Sequence, residues 1–197
     1  MTLGKFVKVF IGPIYRLFFP VKVEGLENFD LENPFVLCAN HQSNWDVVAL
    51  YLTCPREINF MAKEEMFKFK PLGWFVSKLG AFPVKRGQND LAAIKTSLKI
   101  LKNGDVLGIF PQGRRSNTLE EDTAKAGAVL IASKAKVDII PAAIDTKYRL
   151  FKPVKIIFGK HFKVCEEDRK MTMDEIQEKA NELMKEIVAL KKGEHND

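Results

Sequence analysis

Short apolar runs alternate with helical patterns along this chain, and that alternation constrains its fold more than any other feature. The runs Phe35–Ala39, Ile58–Ala62, Ala81–Val84, Val106–Pro111, Asp138–Ile144 and Val154–Gly159 read as strands. Between them Asn89 can cap a helix whose apolar face is Leu91, Ile94, Leu98 and Leu101, with Gly104 as its stop. A second helix is expected near Thr123 to Lys134, carrying Ala126, Val129, Leu130 and Ala132. A third opens at a capping box, Thr172 to Glu175, and runs through Ile176, Ala180, Leu183, Ile187 and Leu190. Such alternation predicts a single α/β domain over residues 22–192. Its sheet would be mixed and mainly parallel, flanked by helices, with functional side chains in the loops at strand ends. Residues 193–197 should fray.

Composition narrows the partners. A chain of 197 residues with 46% hydrophobic and 28% charged residues can bury a core, which excludes wholesale disorder. Fifteen phenylalanines against three tyrosines suit a greasy core, an acyl-binding cavity or a membrane-facing surface. The net charge of +6 favours anionic partners. Nucleic acid is not expected, because the arginines cluster in turns with Gly and Pro instead of interleaving with aromatics on a groove-facing element. Cys38, Cys54 and Cys165 are odd in number and widely spaced, as in reduced thiols of a cytosolic protein. No metal site is visible.

The first 21 residues are rich in aromatics and carry Lys5, Lys8 and Arg16, with breaks expected at Pro13 and Pro20. The run is far short of the roughly 20 apolar residues that span a bilayer, and no secretory cleavage site is present. Two accounts remain. The segment is a helix packed on the core, or an interfacial anchor whose Phe6, Phe10, Ile14, Phe18 and Phe19 dip into lipid while its cations meet acidic head groups. The division expected is therefore 1–21 as an amphipathic membrane-associating segment, then the domain, then the frayed tail. The stretch Met66–Phe82, mixing Phe67, Phe69, Trp74 and Phe75 with three lysines, is open to the same pair of accounts.

The chemistry-bearing stretch is Cys38 to Val48, CANHQSNWDVV. His41 and Asp46 cannot share a face inside one helix. They can meet if His41 lies in the turn before a helix, Ser43 is its N-cap and Asp46 sits at the third position. On one account Asp46 merely caps the helix. On the other it holds the imidazole tautomer while His41 acts as a general base. No GxSxG elbow supplies a protein nucleophile, so the attacking group would be the substrate's own hydroxyl. Two further stretches, Gly80–Gly87 and Gly108–Asn117, end apolar strands with Lys85 and Arg86, and with Arg114 and Arg115. Each could be a solvated basic loop. Arginine forks at strand ends also grip phosphate, each charge-assisted bond contributing about 1.5–3 kcal/mol.

Taken in order, these stretches resemble the glycerolipid acyltransferases of the 1-acyl-glycerol-3-phosphate type. The pattern NHxxxxD matches Asn40 to Asp46, a Gly-to-Arg block matches Gly80 to Arg86, and FPEGTRS is matched by FPQGRRS, Phe110 to Ser116. A strand with proline, Ile139 to Ile144, and the Lys125–Gly127 stretch also agree, so the likeness covers about residues 22–160. It implies transfer of a fatty acyl group from acyl-CoA or acyl carrier protein to the free hydroxyl of a lysophospholipid, giving phosphatidic acid, with no further cofactor. The same protein could instead serve another glycerolipid acceptor, such as glycerol-3-phosphate, or bind lipid without much catalysis. The resemblance assigns His41 and Asp46 to catalysis, and Arg86, Arg115, Lys85 and Arg114 to the acceptor's phosphate. It assigns Gln112, Gly113, Ser116 and Asn40 to substrate positioning, and an apolar tunnel to the acyl chain. It implies a peripheral enzyme on the cytoplasmic face of the cell membrane. Two departures stand out: the family's glutamate is Gln112 here, which removes any carboxylate chemistry, and its threonine is Arg114, an added cation.

Overall fold

A computed structural model describes residues 3–29, 31–85, 90–116, 124–164 and 170–193. The chain opens with α1 (Leu3–Phe6), a π-helical turn (Val7–Ile11) and α2 (Gly12–Phe18), a continuous helical segment that ends before Pro20. Pro13 does not break it. It stands at the second position of α2, at the junction where the π-helical turn gives way to α-helix and the hydrogen-bond pattern changes. Strand β1 (Val21–Glu24) follows, then a 3₁₀ turn (Leu26–Asn28), β2 (Val36–Ala39), α3 (Asn44–Thr53) and β3 (Ile58–Lys63). After α4 (Glu65–Lys68) and α5 (Lys70–Lys78) come β4 (Phe82–Val84), α6 (Leu91–Lys102), β5 (Val106–Ile109) and α7 (Gly127–Ala135). Strands β6 (Ile139–Asp145) and β7 (Val154–Phe158) and the long α8 (Met173–Lys192) complete it.

The seven strands form one sheet in the order β1-β7-β6-β2-β5-β3-β4. Every pairing is parallel except β6 with β7. The α/β architecture with a mixed, mainly parallel sheet is therefore as the sequence predicts. All four residues of β2 and of β5 are buried, as expected of strands covered on both faces. One face packs α3, the N-terminal helical segment and part of α5 against Leu37, Ile58, Ile140 and Ile156. The other packs α6, α7 and α8 against Val36, Leu107 and Ile139.

Helix boundaries follow local chemistry. The cap of α6 is Asp90, whose carboxylate accepts from Ala93 N; Asn89, the expected cap, lies outside the described residues. Thr172 and Glu175 form the expected capping box of α8, and Gly193 closes that helix at φ 77°. Strand β1 has no counterpart in the sequence reading: four residues at a sheet edge, half exposed, leave too weak a pattern. Residues 194–197 lie outside the described residues.

The parallel order has a direct consequence for function. The carboxyl ends of β2, β5 and β6 are neighbours, so the loops that leave them, at His41, at Phe110–Ser116 and at Thr146–Tyr148, converge at one edge of the sheet.

Candidate active site

His41 follows β2 in a tight turn and Ser43 caps α3, its side chain accepting from Trp45 N. That geometry sets Asp46 in the first turn with its carboxylate pointing back at the turn. Its Oδ2 accepts from Gln42 N (2.6 Å) and Ser43 N (2.7 Å), and also from His41 Nδ1 (2.9 Å). The helix cap and the imidazole's partner are thus one carboxylate, so capping the helix and holding the imidazole are compatible in one geometry. Because the carboxylate only accepts, Nδ1 carries the proton and Nε2 is left as the basic nitrogen. Among the described residues Nε2 has no hydrogen-bond partner.

The ring of His41 is fixed by stacking. It lies on Phe110, centroids 3.9 Å apart and planes 16° from parallel, and Phe60 lies parallel beyond Phe110 at 5.8 Å. Gly108 makes room for this stack: a Cβ there would stand 2.5 Å from the Phe60 ring. The loop after β5 also clasps the His41 backbone on both sides. Gln112 Oε1 accepts from His41 N (3.3 Å), and Ser116 N donates to His41 O (2.9 Å). Gln112 is buried and braces this turn, and a neutral amide oxygen accepts that N–H as a carboxylate would. Gly113, at φ 67°, makes the turn that brings the clasp round.

Asn40 is tied to the neighbouring strand. Assigned above to substrate positioning, it is 1% exposed and commits both ends of its amide to β6, Nδ2 to Ile144 O (3.0 Å) and Oδ1 from Ile144 N (2.7 Å). It locks the β2 loop to the neighbouring strand, the cross-tie a buried amide requires.

The basic residues divide. Arg115 stands at the start of α3, its guanidinium donating to Asn44 Oδ1 (3.4 Å), and Arg114 beside it is exposed. Lys85 follows β4 and lines the same cavity as Phe110 and Gly113. Arg86 lies outside the described residues. That cavity, about 360 Å³, runs between the sheet and helices α6 and α7, walled by Met61, Val84, Ile94, Ile109, Leu130 and Ile131. Phe110 therefore both stacks on His41 and lines an apolar void.

Sequence reasoning missed Tyr148, whose hydroxyl donates to Asp46 Oδ1 (2.7 Å) from 102 residues away. Burial, together with the Asp46 carboxylate, pushes its phenol far above the ordinary range. Tyr15, on α2, is buried alongside, and its hydroxyl makes no well-formed hydrogen bond among the described residues. Burial pushes it up to about 12, opposed by the Tyr148 hydroxyl and assisted by Asp46. A second His–Asp pair, His161 with Asp138 (3.2 Å), sits where β6 begins, at the opposite edge of the sheet. Its other ring nitrogen is held by Asn28 O, which marks it as a surface tie. Cys38 and Cys54 are free and buried; burial raises both thiols, Cys54 to about 11, leaving them unreactive. Cys165 lies outside the described residues. Among the described residues no group of His, Cys, Asp and Glu could hold a metal ion.

Among the described residues, then, a His–Asp pair stands at the carboxyl edge of a mainly parallel sheet beside an apolar cavity, with no serine or cysteine side chain hydrogen-bonded to the imidazole, a geometry compatible with direct group transfer. A family model described as Acyltransferase matches residues 20–145, and the chain belongs to that family. It is 40% identical over 145 residues to the 1-acyl-sn-glycerol-3-phosphate acyltransferase of Bacillus subtilis (strain 168), covering 71% of this chain and 72% of that one. The Streptococcus pneumoniae enzyme of the same name is 34% identical, over 83% of this chain and 64% of its own length. A crystal structure of the 1-acyl-sn-glycerophosphate (LPA) acyltransferase PlsC from Thermotoga maritima shares the fold, with a TM-score of 0.74 and 24% identity over 97% of this chain and 78% of that one.

Proposed function

We propose that this protein transfers a fatty acyl group from a thioester to the free hydroxyl of 1-acyl-glycerol-3-phosphate, forming phosphatidic acid. The observation that carries the reading is the 2.9 Å bond from His41 Nδ1 to Asp46 on a ring stacked against Phe110. The names of the relatives, 40% and 34% identical, support it. In this reading Nε2 of His41 takes the proton from the acceptor hydroxyl as its oxygen attacks the thioester carbonyl. The tetrahedral intermediate then collapses, the C–S bond breaks, and the departing thiolate takes the proton from the imidazolium. Asp46 stabilises that imidazolium throughout. Such assistance contributes about 10²–10⁴-fold.

Arg115, with Arg114, Lys85 and Arg86, would neutralise the acceptor's phosphate, and the cavity under Phe110 would take an acyl chain. The donor is acyl-CoA or acyl carrier protein, and the thioester itself is the only activated group the reaction requires. The reaction would take place at a membrane surface. No described helix is long and apolar enough to cross one, and the attachment proposed is peripheral, on the cytoplasmic face, through the apolar flank of α1 and α2.

The test is thiol release from oleoyl-CoA with lysophosphatidic acid as acceptor. Wild type should release thiol only when the acceptor is present. His41→Ala should abolish this while keeping the melting curve, and retention of more than about a tenth of the rate would remove His41 from the mechanism. Replacing the acceptor with glycerol-3-phosphate separates the two candidate reactions.

A further inference from the structure

Besides His41, the Asp46 carboxylate has one partner that its own helix cap does not explain. We propose that Tyr148 is a positioning residue of the reaction, its phenol fixing Asp46 and through it the His41 ring, and that the N-terminal helical segment holds that phenol in place. The proposal rests on the acyl-transfer reading above.

Three donors, from His41, Gln42 and Ser43, converge on Oδ2. They pin one oxygen and leave the carboxylate free to turn about it. The Tyr148 hydroxyl, 2.7 Å from Oδ1, removes that freedom. A carboxylate locked at both oxygens presents Oδ2 to the imidazole at one angle, which is what fixes the Nδ1–H tautomer and aims Nε2. Burial and the adjoining carboxylate keep the phenol protonated at neutral pH, so the O–H always donates and never competes for the charge. No proton leaves Tyr148 at any step.

The backbone at Tyr148 points the same way. Its φ is 41°, in the left-handed region that a large aromatic residue rarely adopts. A hydrogen bond from Tyr148 N to the buried Thr146 hydroxyl (3.0 Å) sustains it. Strain of this kind persists where the surroundings over-determine it, and it gathers at functional sites.

The N-terminal segment supplies the surroundings. Phe19 packs edge-on against Tyr148, centroids 5.9 Å apart and planes at 81°. Tyr15 and Phe19 also pack on Trp45, the residue next to Asp46, at 5.9 and 5.5 Å. Phe18 O accepts from Phe151 N (2.7 Å), tying the segment to the same loop. One aromatic cluster thus joins the helix that exposes Ile14 and Leu17 to both residues flanking the catalytic carboxylate.

The experiment uses the full chain, oleoyl-CoA and a short-chain acceptor that stays monomeric, so that binding to lipid surfaces does not enter. Tyr148→Phe should lower kcat about ten-fold while both KM values stay within about two-fold. Spectra of ¹⁵N-histidine-labelled protein give a second readout, tractable with three histidines in the chain. His41 should show one Nδ1–H tautomer in the wild type and a mixture in the variant. An unchanged kcat in Tyr148→Phe overturns the proposal, and so does a lowered kcat with an unchanged tautomer, which would make Tyr148 merely structural. Should that variant not fold, Phe19→Leu keeps the hydroxyl and frees the ring; it should lower kcat several-fold, and a wild-type kcat there also overturns the proposal. If the wild type transfers no acyl group, the acyl-transfer reading fails, while the tautomer spectra still decide whether Tyr148 orients the pair.

Discussion

At the scale of single residues, Asp46 illustrates how much a short pattern can carry. Ser43 and Asp46 read as a capping box, and the same spacing brings the carboxylate to His41, so one local rule predicts both the helix start and the pair. Tyr148 left no such trace, because its bond to Asp46 spans 102 residues and depends on β2 and β6 lying side by side. The partner of Asn40 was hidden for the same reason: Ile144 is on that neighbouring strand. Gly108 was legible only as part of an apolar run, although its missing side chain is what lets Phe60 lie along Phe110. Gly108→Ala should therefore overpack the stack, lowering stability by about 1–3 kcal/mol in urea unfolding. It should also cost activity, since Phe110 is the surface on which His41 rests. A variant as stable and as active as wild type would show that the stack tolerates displacement.

At the scale of elements, the N-terminal segment divides by face. Val7 and Tyr15 are buried against the core, while Phe6, Phe10, Ile14, Leu17 and Phe18 are exposed. Phe19, expected among the lipid-facing residues, is instead 8% exposed and packed on Trp45 and Tyr148. Helices α4 and α5 divide in the same way: Phe75 packs on the core and Phe69 and Trp74 lie in the open. The pattern of aromatics was readable, but which aromatic faces inward depends on the sheet beneath. Replacing both Ile14 and Leu17 with Asp puts charge on the exposed face and touches no core residue. Sedimentation with vesicles containing acidic phospholipid should fall at least several-fold, with the melting temperature within about 2 °C of wild type. Undiminished sedimentation would place the lipid contact elsewhere.

At the scale of the molecule, the strand–helix alternation was enough to predict the architecture, and six of seven strands were placed from their apolar runs. The strand order was not predicted, and it is the order that gathers three loops at one edge. Its three tyrosines give the whole fold a common vulnerability. Tyr15 and Tyr51 are pushed up to about 12 and Tyr148 higher still, in each case first by burial. An unfolded phenol releases its proton near 10, so between about 10 and 12 the folded chain binds more protons than the unfolded one. The stability these groups contribute is therefore complete below about pH 10 and lost as pH rises through about 12. Thermal stability should fall steeply above about pH 10, less so in Tyr51→Phe; identical pH curves for the two proteins would refute the assignment.

The helical segment at the start of the chain is also riveted in place. Lys8 Nζ donates to Cys54 O (2.8 Å) and Arg56 O (3.4 Å) just beyond α3, and Val154 N holds Pro20 O at the other end. A keel bolted fore and aft cannot swing. In the reaction proposed above, the imidazole would ride at a constant height over whatever plane the outer flank of that segment settled on, and the depth of the acceptor's hydroxyl would become a criterion of substrate choice alongside its chemistry.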